Sequence, residues 1–358
     1  MLSRDVESNE QYTKQTSSLK LSHAPKPEPG EKELLVRLTA AALNHRDLFI
    51  RHHQYPAISF DAPMLADGYG VVVAVGPGVS RRDLLDRPVL LTPMRGWESD
   101  PSTPEAGYCA VTGSSKLSPV GTAQDYVVVH ESEVVPAPAH LSPVEGAALP
   151  LVGLTGWRAL VSKTDAAAPG RNILITGIGG GVALQVLQFG VAFGANVFVS
   201  SGDQAKIDKA KTLGAKGGVV YKEKGWEAKL KALLPADRPF LDAIIDGAGG
   251  EIVSKAVKLL KQGGIISQYG MTVSPKMDWL MSAVINNIEL RGTTMGSKRE
   301  FNEMVAFVNK HNIKPVISRT VKGLDNLEAI DGLFTEMEEG KQFGKLVIEI
   351  EGGSSPKL

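Results

Sequence analysis

The sequence predicts an α/β protein of two domains, a β-rich lobe followed by a doubly wound parallel sheet, and three observations carry that expectation. The chain has 358 residues, too long for one small module at roughly 150 residues per domain. Up to about Pro150 it consists of short β-type runs broken by Gly and Pro. From Asn172 it alternates apolar strands with amphipathic helices, an order that requires parallel crossovers.

In the first part, ELLVRLTAAAL, GVVVAVG, PVLLTP and QDYVVVHESEVVPAP read as strands. The Pro, Gly and Ser-rich stretch from Trp97 to Pro119 has no sustained period and reads as a long surface loop. Near Leu141 the texture changes. Ser142, with Pro143 behind it and Glu145 three residues on, has the chemistry of a capped helix start leading into the second domain. The segments NILITG, VALQVLQFGVAFG, NVFVSS, QAKIDKAKTLG, GGVVY, WEAKLKALL and LDAIIDGAG then alternate strand and helix. A continuous apolar strand such as NILIT suits a sheet covered on both faces. IISQYG and NNIELRGTT read as its last strands, followed by a helix from about Lys298 to His311, a closing strand KLVIEI and a disordered tail GGSSPKL.

Composition excludes several classes. Lys plus Arg number 39 and Asp plus Glu 39, so no net charge draws the protein to nucleic acid or an acidic membrane. The single Cys109 can form neither an intrachain disulfide nor a four-cysteine zinc site. The opening MLSRDVESNEQYTKQTSS lacks the apolar core of a signal peptide, and no run reaches the ~18 apolar residues of a membrane span. A soluble, cytoplasmic protein is expected.

The strand NILIT runs directly into Gly177-Ile178-Gly179-Gly180-Gly181-Val182-Ala183 and then a helix. In that context, missing side chains permit a tight turn and let a dinucleotide pyrophosphate approach the N–H groups of the helix start. The next strand ends Val199-Ser200-Ser201-Gly202 with no carboxylate, and Lys206 follows. Neutral hydroxyls and a nearby cation suit the 2′-phosphate of NADPH, with Tyr221 covering the adenine edge. Asp203 is the complication, since turned inward it would hold free ribose hydroxyls; Lys206 also reads as a solvated helix residue.

Taken together, GEKELLVRLTAAALNHRDL, GYGVVVAVGPGV, LPLVGLTGWRAL, ITGIGGGVA, AKTLGA and QFGKLVIEI resemble the medium-chain dehydrogenase/reductase superfamily, from about Leu21 to Ile350. Within it the pattern is similar to the zinc-free quinone oxidoreductase-like branch that includes zeta-crystallin. The resemblance implies a GroES-like catalytic domain, residues 1–150 and 297–358, enclosing a Rossmann nucleotide-binding domain, residues 151–296. Zinc-using relatives carry ligands at the positions of Asn44, Ala66 and Leu151, none of which is a zinc ligand here, so no metal is expected. His45, Asp47, His52 and His53 stand as an alternative donor set, with a polar cleft rim as the plainer reading.

The same resemblance places Asn44, Asp47 and the turn Ala66-Asp67-Gly68 in the catalytic cleft, with Asn44 donating to a substrate carbonyl. Tyr55 stands where quinone oxidoreductases often carry a cleft tyrosine, and His53 is its rival as proton donor. A structural pair of Arg46 and Asp47 is the alternative reading of these two residues. Thr155 resembles the residue behind the nicotinamide ring, and Gly270, Met295-Gly296-Ser297 and Lys345 approach the cofactor. The implied activity is hydride transfer from NADPH to a quinone, an α,β-unsaturated carbonyl or an aldehyde. A structural or regulatory NADPH-binding protein and a trans-acting enoyl reductase of a biosynthetic synthase are the alternatives. An apolar edge strand near Asn287 to Gly292 predicts a homodimer.

Overall fold

The computed structural model describes residues 16–274 and 276–350; residues 1–15 and the tail GGSSPKL lie outside the described residues. Two sheets organise the chain. The first runs in the order Ile317–Lys322, Lys345–Glu349, Glu33–Ala42, Asp67–Val75, Pro88–Leu91, Val134–Pro136, with Tyr126–His130 also paired to Glu33–Ala42. Its central strand, Glu33–Ala42, is buried along most of its length because it changes neighbour midway. Glu33 to Arg37 pair with Tyr126–His130, whereas Ala40 to Ala42 pair with Lys345–Glu349, and bulges interrupt its ladder with Asp67–Val75. Bulges bend a strand and raise its twist, which rolls this sheet around its own core.

That register has a consequence for chemistry. Ala42 lies opposite Asp67 on one side and Val347 on the other. Three neighbouring strands therefore end together at Leu43-Asn44, Asp67 and Lys345.

The second sheet is parallel throughout, in the order Gly217–Val220, Asn196–Ser201, Asn172–Ile175, Leu241–Asp246, Leu260–Gln268, Glu289–Gly292. From Asn172–Ile175 the chain works outward on one flank, then returns to the other with Leu241–Asp246. A reversal of this kind opens a crevice at the carboxyl ends of the strands. Asn172–Ile175 is buried at every residue, as its apolar run requires.

The chain crosses between the sheets through the helices Pro143–Ala147 and Pro150–Trp157 and returns through residues 293–297 into the helix Lys298–His311. Ser142 and Glu145 form the expected capping box, and Ser297 and Glu300 form a second one. Trp157 meets Phe189 and Phe307 at ring-centroid distances of 5.6 and 5.1 Å, tying the crossing to both helices it touches. Each such pair contributes about 0.5–1.5 kcal/mol beyond its buried area.

The stretch Trp97 to Pro119 is only in part the surface loop expected of it. Trp97 is buried, Ala110–Val111 pairs with Met94–Arg95, and the Arg158 guanidinium lies 4.4 Å over the Trp97 ring. Arg158 also donates to Pro101 O and to Glu300 Oε1, both at 2.7 Å. Residues 98–108 are largely exposed, as a loop would be, while the ends of the stretch are anchored by two buried cations, Arg158 at Trp97 and Pro101 and Arg46 at Thr112 and Gly113. No helix among the described residues is long and apolar enough to cross a membrane.

Candidate active site

The glycine turn leaves the strand Asn172–Ile175 and enters the helix Gly181–Ala192. Gly179 has φ +128°, a conformation closed to side-chain-bearing residues. Gly181 is required for space instead: a Cβ there would lie 2.8 Å from Lys345 Cδ and 2.9 Å from Val152 Cγ1. Leu184 N–H donates to Gly180 O, so the N–H groups of Gly181 to Ala183 precede the first turn's bonds, at a helix start where an anion is favoured.

Beside the turn lies a cavity of about 380 Å³. Gly180, Gly181, Val182, Thr155, Gly270 and Met295 line one side of it, and Asn44, Tyr55 and Lys345 another. Thr155 Oγ1 is 3.8 Å from Met295 Sδ, and Met295 itself has φ +46°, unusual for a long side chain. Gly296 and Ser297 stand behind this wall. A Cβ on Gly296 would meet Leu154 at 2.6 Å, and the Ser297 hydroxyl caps the helix Lys298–His311.

On the other side, Lys345 Nζ donates to Leu43 O at 2.7 Å, Asn44 Oδ1 at 2.6 Å and Asp67 Oδ2 at 2.8 Å. Asn44 Nδ2 donates to Asp67 Oδ2 at 2.9 Å, and Asp67 Oδ1 accepts from Leu151 N–H at 2.7 Å. Asn44, Asp67 and Lys345 are all buried. An ammonium has three donors and no acceptor, so its neighbour must present the amide oxygen. The orientation of Asn44 follows: Nδ2 has one hydrogen on Asp67 and one left over.

Asp47, expected among the catalytic groups, turns back to its own helix. Its Oδ2 accepts from Asn44 N–H at 2.8 Å and its Oδ1 lies 3.2 Å from Arg46 Nη1. Burial pushes its carboxyl above the usual carboxylate range, against the opposing pull of Arg46. Asp47 therefore positions Asn44. Arg46 also donates to Thr112 O and Gly113 O, and its guanidinium lies 5.0 Å over the Tyr55 ring. Burial, with Lys345 nearby, lowers the pKa of His45. His53, the rival donor, meets Ser17 Oγ at 2.9 Å and is absent from the cavity wall.

A zinc ion does not fit this donor set. Where the resemblance puts ligands, Asn44 Oδ1 holds an ammonium, Ala66 offers nothing, and Leu151 contributes only its backbone N–H to Asp67. Among the described residues no group of three or more His, Cys, Asp or Glu could hold a metal.

At the adenosine end, Ser200 and Ser201 are buried, and Ser200 O accepts from Ile178 N–H at 2.9 Å. Asp203 Oδ1 accepts from Ala205 N–H at 2.9 Å and so caps its helix. Lys206 differs from its expected place. Its ammonium donates to Gly340 O at 2.6 Å and Gln342 O at 2.9 Å, with its stem against Gly179, and burial lowers its pKa. Lys222, which the sequence reading passed over, lies with the exposed Tyr221 beside Gly202: a Cβ there would be 2.9 Å from both Lys222 Cε and Tyr221 Oη. Its place directly after Tyr221 was the available signal.

Comparison with known proteins agrees with this architecture. The zinc-binding dehydrogenase family matches residues 181–310, and the alcohol dehydrogenase GroES-like domain matches residues 30–139. The zinc-type alcohol dehydrogenase-like protein YogA of Leptosphaeria maculans is 57% identical over 338 residues, 93% of this chain and 94% of that one. The 2-methylene-furan-3-one reductase of Solanum lycopersicum is 29% identical over 91% of this chain and 74% of its own. A solved structure described as an NAD-dependent alcohol dehydrogenase superposes with a TM-score of 0.81 at 30% identity, covering 92% of this chain and 95% of that one.

Proposed function

The chain belongs to the medium-chain dehydrogenase/reductase superfamily and is an oxidoreductase using a nicotinamide cofactor, and from that premise we propose that it is an NADPH-dependent, zinc-independent reductase of α,β-unsaturated carbonyls or quinones. The observation that carries this reading is the Asn44 amide, fixed by Lys345 and Asp67 with one N–H left over at the cavity wall. A preorganised donor of this kind stabilises charge that develops on a substrate oxygen during reduction.

The bound dinucleotide supplies the hydride. Thr155, Val182, Gly270 and Met295 form the wall that orients the ring, and the N–H groups at the start of Gly181–Ala192 hold the pyrophosphate. Asn44 Nδ2–H meets the carbonyl oxygen, and Tyr55, with a guanidinium over its ring, supplies a proton or a second hydrogen bond. The tomato reductase, by its name, acts on an enone, which favours this substrate class. NADPH is favoured because no carboxylate ends the strand Asn196–Ser201 and the exposed Lys222 flanks Gly202, where a 2′-phosphate would meet it. We further propose a homodimer through the edge strand Glu289–Gly292, which carries the exposed Leu290 and follows the exposed Met281 and Ile285; sedimentation as a monomer at micromolar concentration would refute it.

The test of the activity is consumption of NADPH and of NADH against a panel of enones, quinones and aldehydes. Turnover of enones or quinones with NADPH preferred supports the reading. Tight NADPH binding with no turnover across the panel overturns it in favour of a structural or regulatory role.

A further inference from the structure

We propose that Gln342 is a cofactor-binding residue whose amide bridges an oxygen of the dinucleotide's diphosphate and a hydroxyl of the nicotinamide-side ribose; the inference rests on the nicotinamide-cofactor assignment and on no claim about the substrate. Three observations carry it. First, Gln342 is only 7% exposed, yet neither Oε1 nor Nε2 of its amide bonds to any described residue. Buried polar side chains are paired as a rule, so an amide idle at both ends calls for a partner from outside the chain. Second, Gln342 lines the cavity of about 380 Å³ together with Gly180, Gly181, Thr155 and Met295, whereas Ser200, Ser201 and Tyr221 at the adenosine end do not. It therefore faces the glycine turn and the nicotinamide half. Third, the main chain holds it there. Lys206 Nζ donates to Gly340 O at 2.6 Å and Gln342 O at 2.9 Å, and Gly344 N–H donates to Gly179 O at 2.9 Å.

The chemistry at this place suits an amide. A diphosphate only accepts hydrogen bonds, and the start of the helix Gly181–Ala192 offers it donors from one side. The ribose hydroxyls beside it both donate and accept. An ammonium would serve the phosphate alone and a carboxylate would repel it, whereas an amide donates through Nε2 to the phosphate oxygen and accepts through Oε1 from the hydroxyl. No neighbour dictates which end is oxygen, so the side chain turns to suit the ligand without giving up a bond. The contact also crosses the cleft: the glycine turn follows a strand of the parallel sheet, and Gln342 precedes the strand Lys345–Glu349 of the other. Lys206 thereby acts as a positioning residue, holding Gln342 by its carbonyl.

The experiment compares Gln342→Met, which keeps the length of the side chain without its amide, with Gln342→Glu, which keeps an acceptor and adds a charge. Binding of NADPH, NADH, ADP-ribose and AMP is measured by titration calorimetry. ADP-ribose carries the diphosphate and the second ribose, and AMP carries neither. Gln342→Met should bind NADPH, NADH and ADP-ribose about 10- to 100-fold more weakly, the worth of one hydrogen bond to a charged oxygen, and AMP within about twofold of the unmodified protein. Gln342→Glu should bind ADP-ribose more weakly still, because its carboxylate faces the diphosphate, again with AMP spared. A loss for ADP-ribose of less than about fivefold in Gln342→Met overturns the proposal, as the amide would then only fill the wall. So does an equal loss for AMP, which marks a general disturbance of the nucleotide site. Should Gln342→Met fail to fold, Gln342→Glu decides alone on ADP-ribose against AMP. Every binding arm stands even if no carbonyl is turned over, in which case it is the reductase reading that has failed.

Discussion

Two buried ion pairs in this molecule have the same ingredients and opposite outcomes. At the domain crossing, Arg158 and Glu300 lie 2.7 Å apart, and Glu300 also accepts from Ser162 Oγ, Ser297 N–H and Ser297 Oγ. At the cavity, Lys345 and Asp67 lie 2.8 Å apart with Asn44 bridging them. The first cluster is sealed between the Trp97 ring and the helix start, whereas the second ends in an amide N–H at a cavity wall. The difference teaches that burial and charge alone do not mark a site. What marks it is a polar hydrogen left unspent beside open space.

The comparison can be broken most forcefully at the crossing. Glu300→Ala leaves Arg158 buried without its carboxylate and should destabilise the protein by about 3–5 kcal/mol, read by denaturant unfolding. Activity per folded molecule should change little. Burial alone would raise the Glu300 carboxyl, but Ser162, Ser297 and Arg158 together bring it below the usual range. Its share of stability is therefore complete above the ordinary glutamate range and is lost as acid titrates the folded-state group.

Asn44→Ala should do the converse. Loss of one preorganised donor lowers kcat by about 100- to 1,000-fold, measured in single-turnover kinetics, with the unfolding midpoint changed far less than in Glu300→Ala. Equal losses of stability in the two variants would erase the distinction between the clusters.

A smaller effect extends the same contrast to the adenosine end. Lys206 gives two of its three N–H donors to backbone carbonyls, while Lys222 is exposed beside Gly202. Lys222→Ala should raise KM for NADPH about tenfold more than KM for NADH, as loss of a charge-assisted contact implies. Lys206→Ala, which frees the Gly340–Gln342 turn, should weaken both cofactors about equally. If Lys206→Ala alone is selective, the sequence-based assignment of the phosphate contact to Lys206 stands and this one falls.

These cases also show which parts of the molecule are legible in sequence. The helix Lys298–His311, the capping box at Ser142 and the glycine turn were all readable because each is decided by residues within a few positions of one another. The partners of Lys345 were not, since Asn44 is 301 positions away and meets it only through the shared register at Ala42. Asp47 resisted for a related reason: the sequence shows a carboxylate near the cleft but not that it bends back to the Asn44 N–H. Trp97 was placed in a surface loop because its cover comes from Arg158, on the far side of the crossing.

The most direct test of the central claim follows the hydride itself. Protein dialysed against a strong zinc chelator is mixed with NADPH deuterated at both C4 positions and an enone, and the product is examined by mass spectrometry and NMR. The account predicts one deuterium on the β-carbon, a solvent proton on the α-carbon, and a rate unchanged by added zinc. An unlabelled product, or labelling that appears only when zinc is restored, would contradict it.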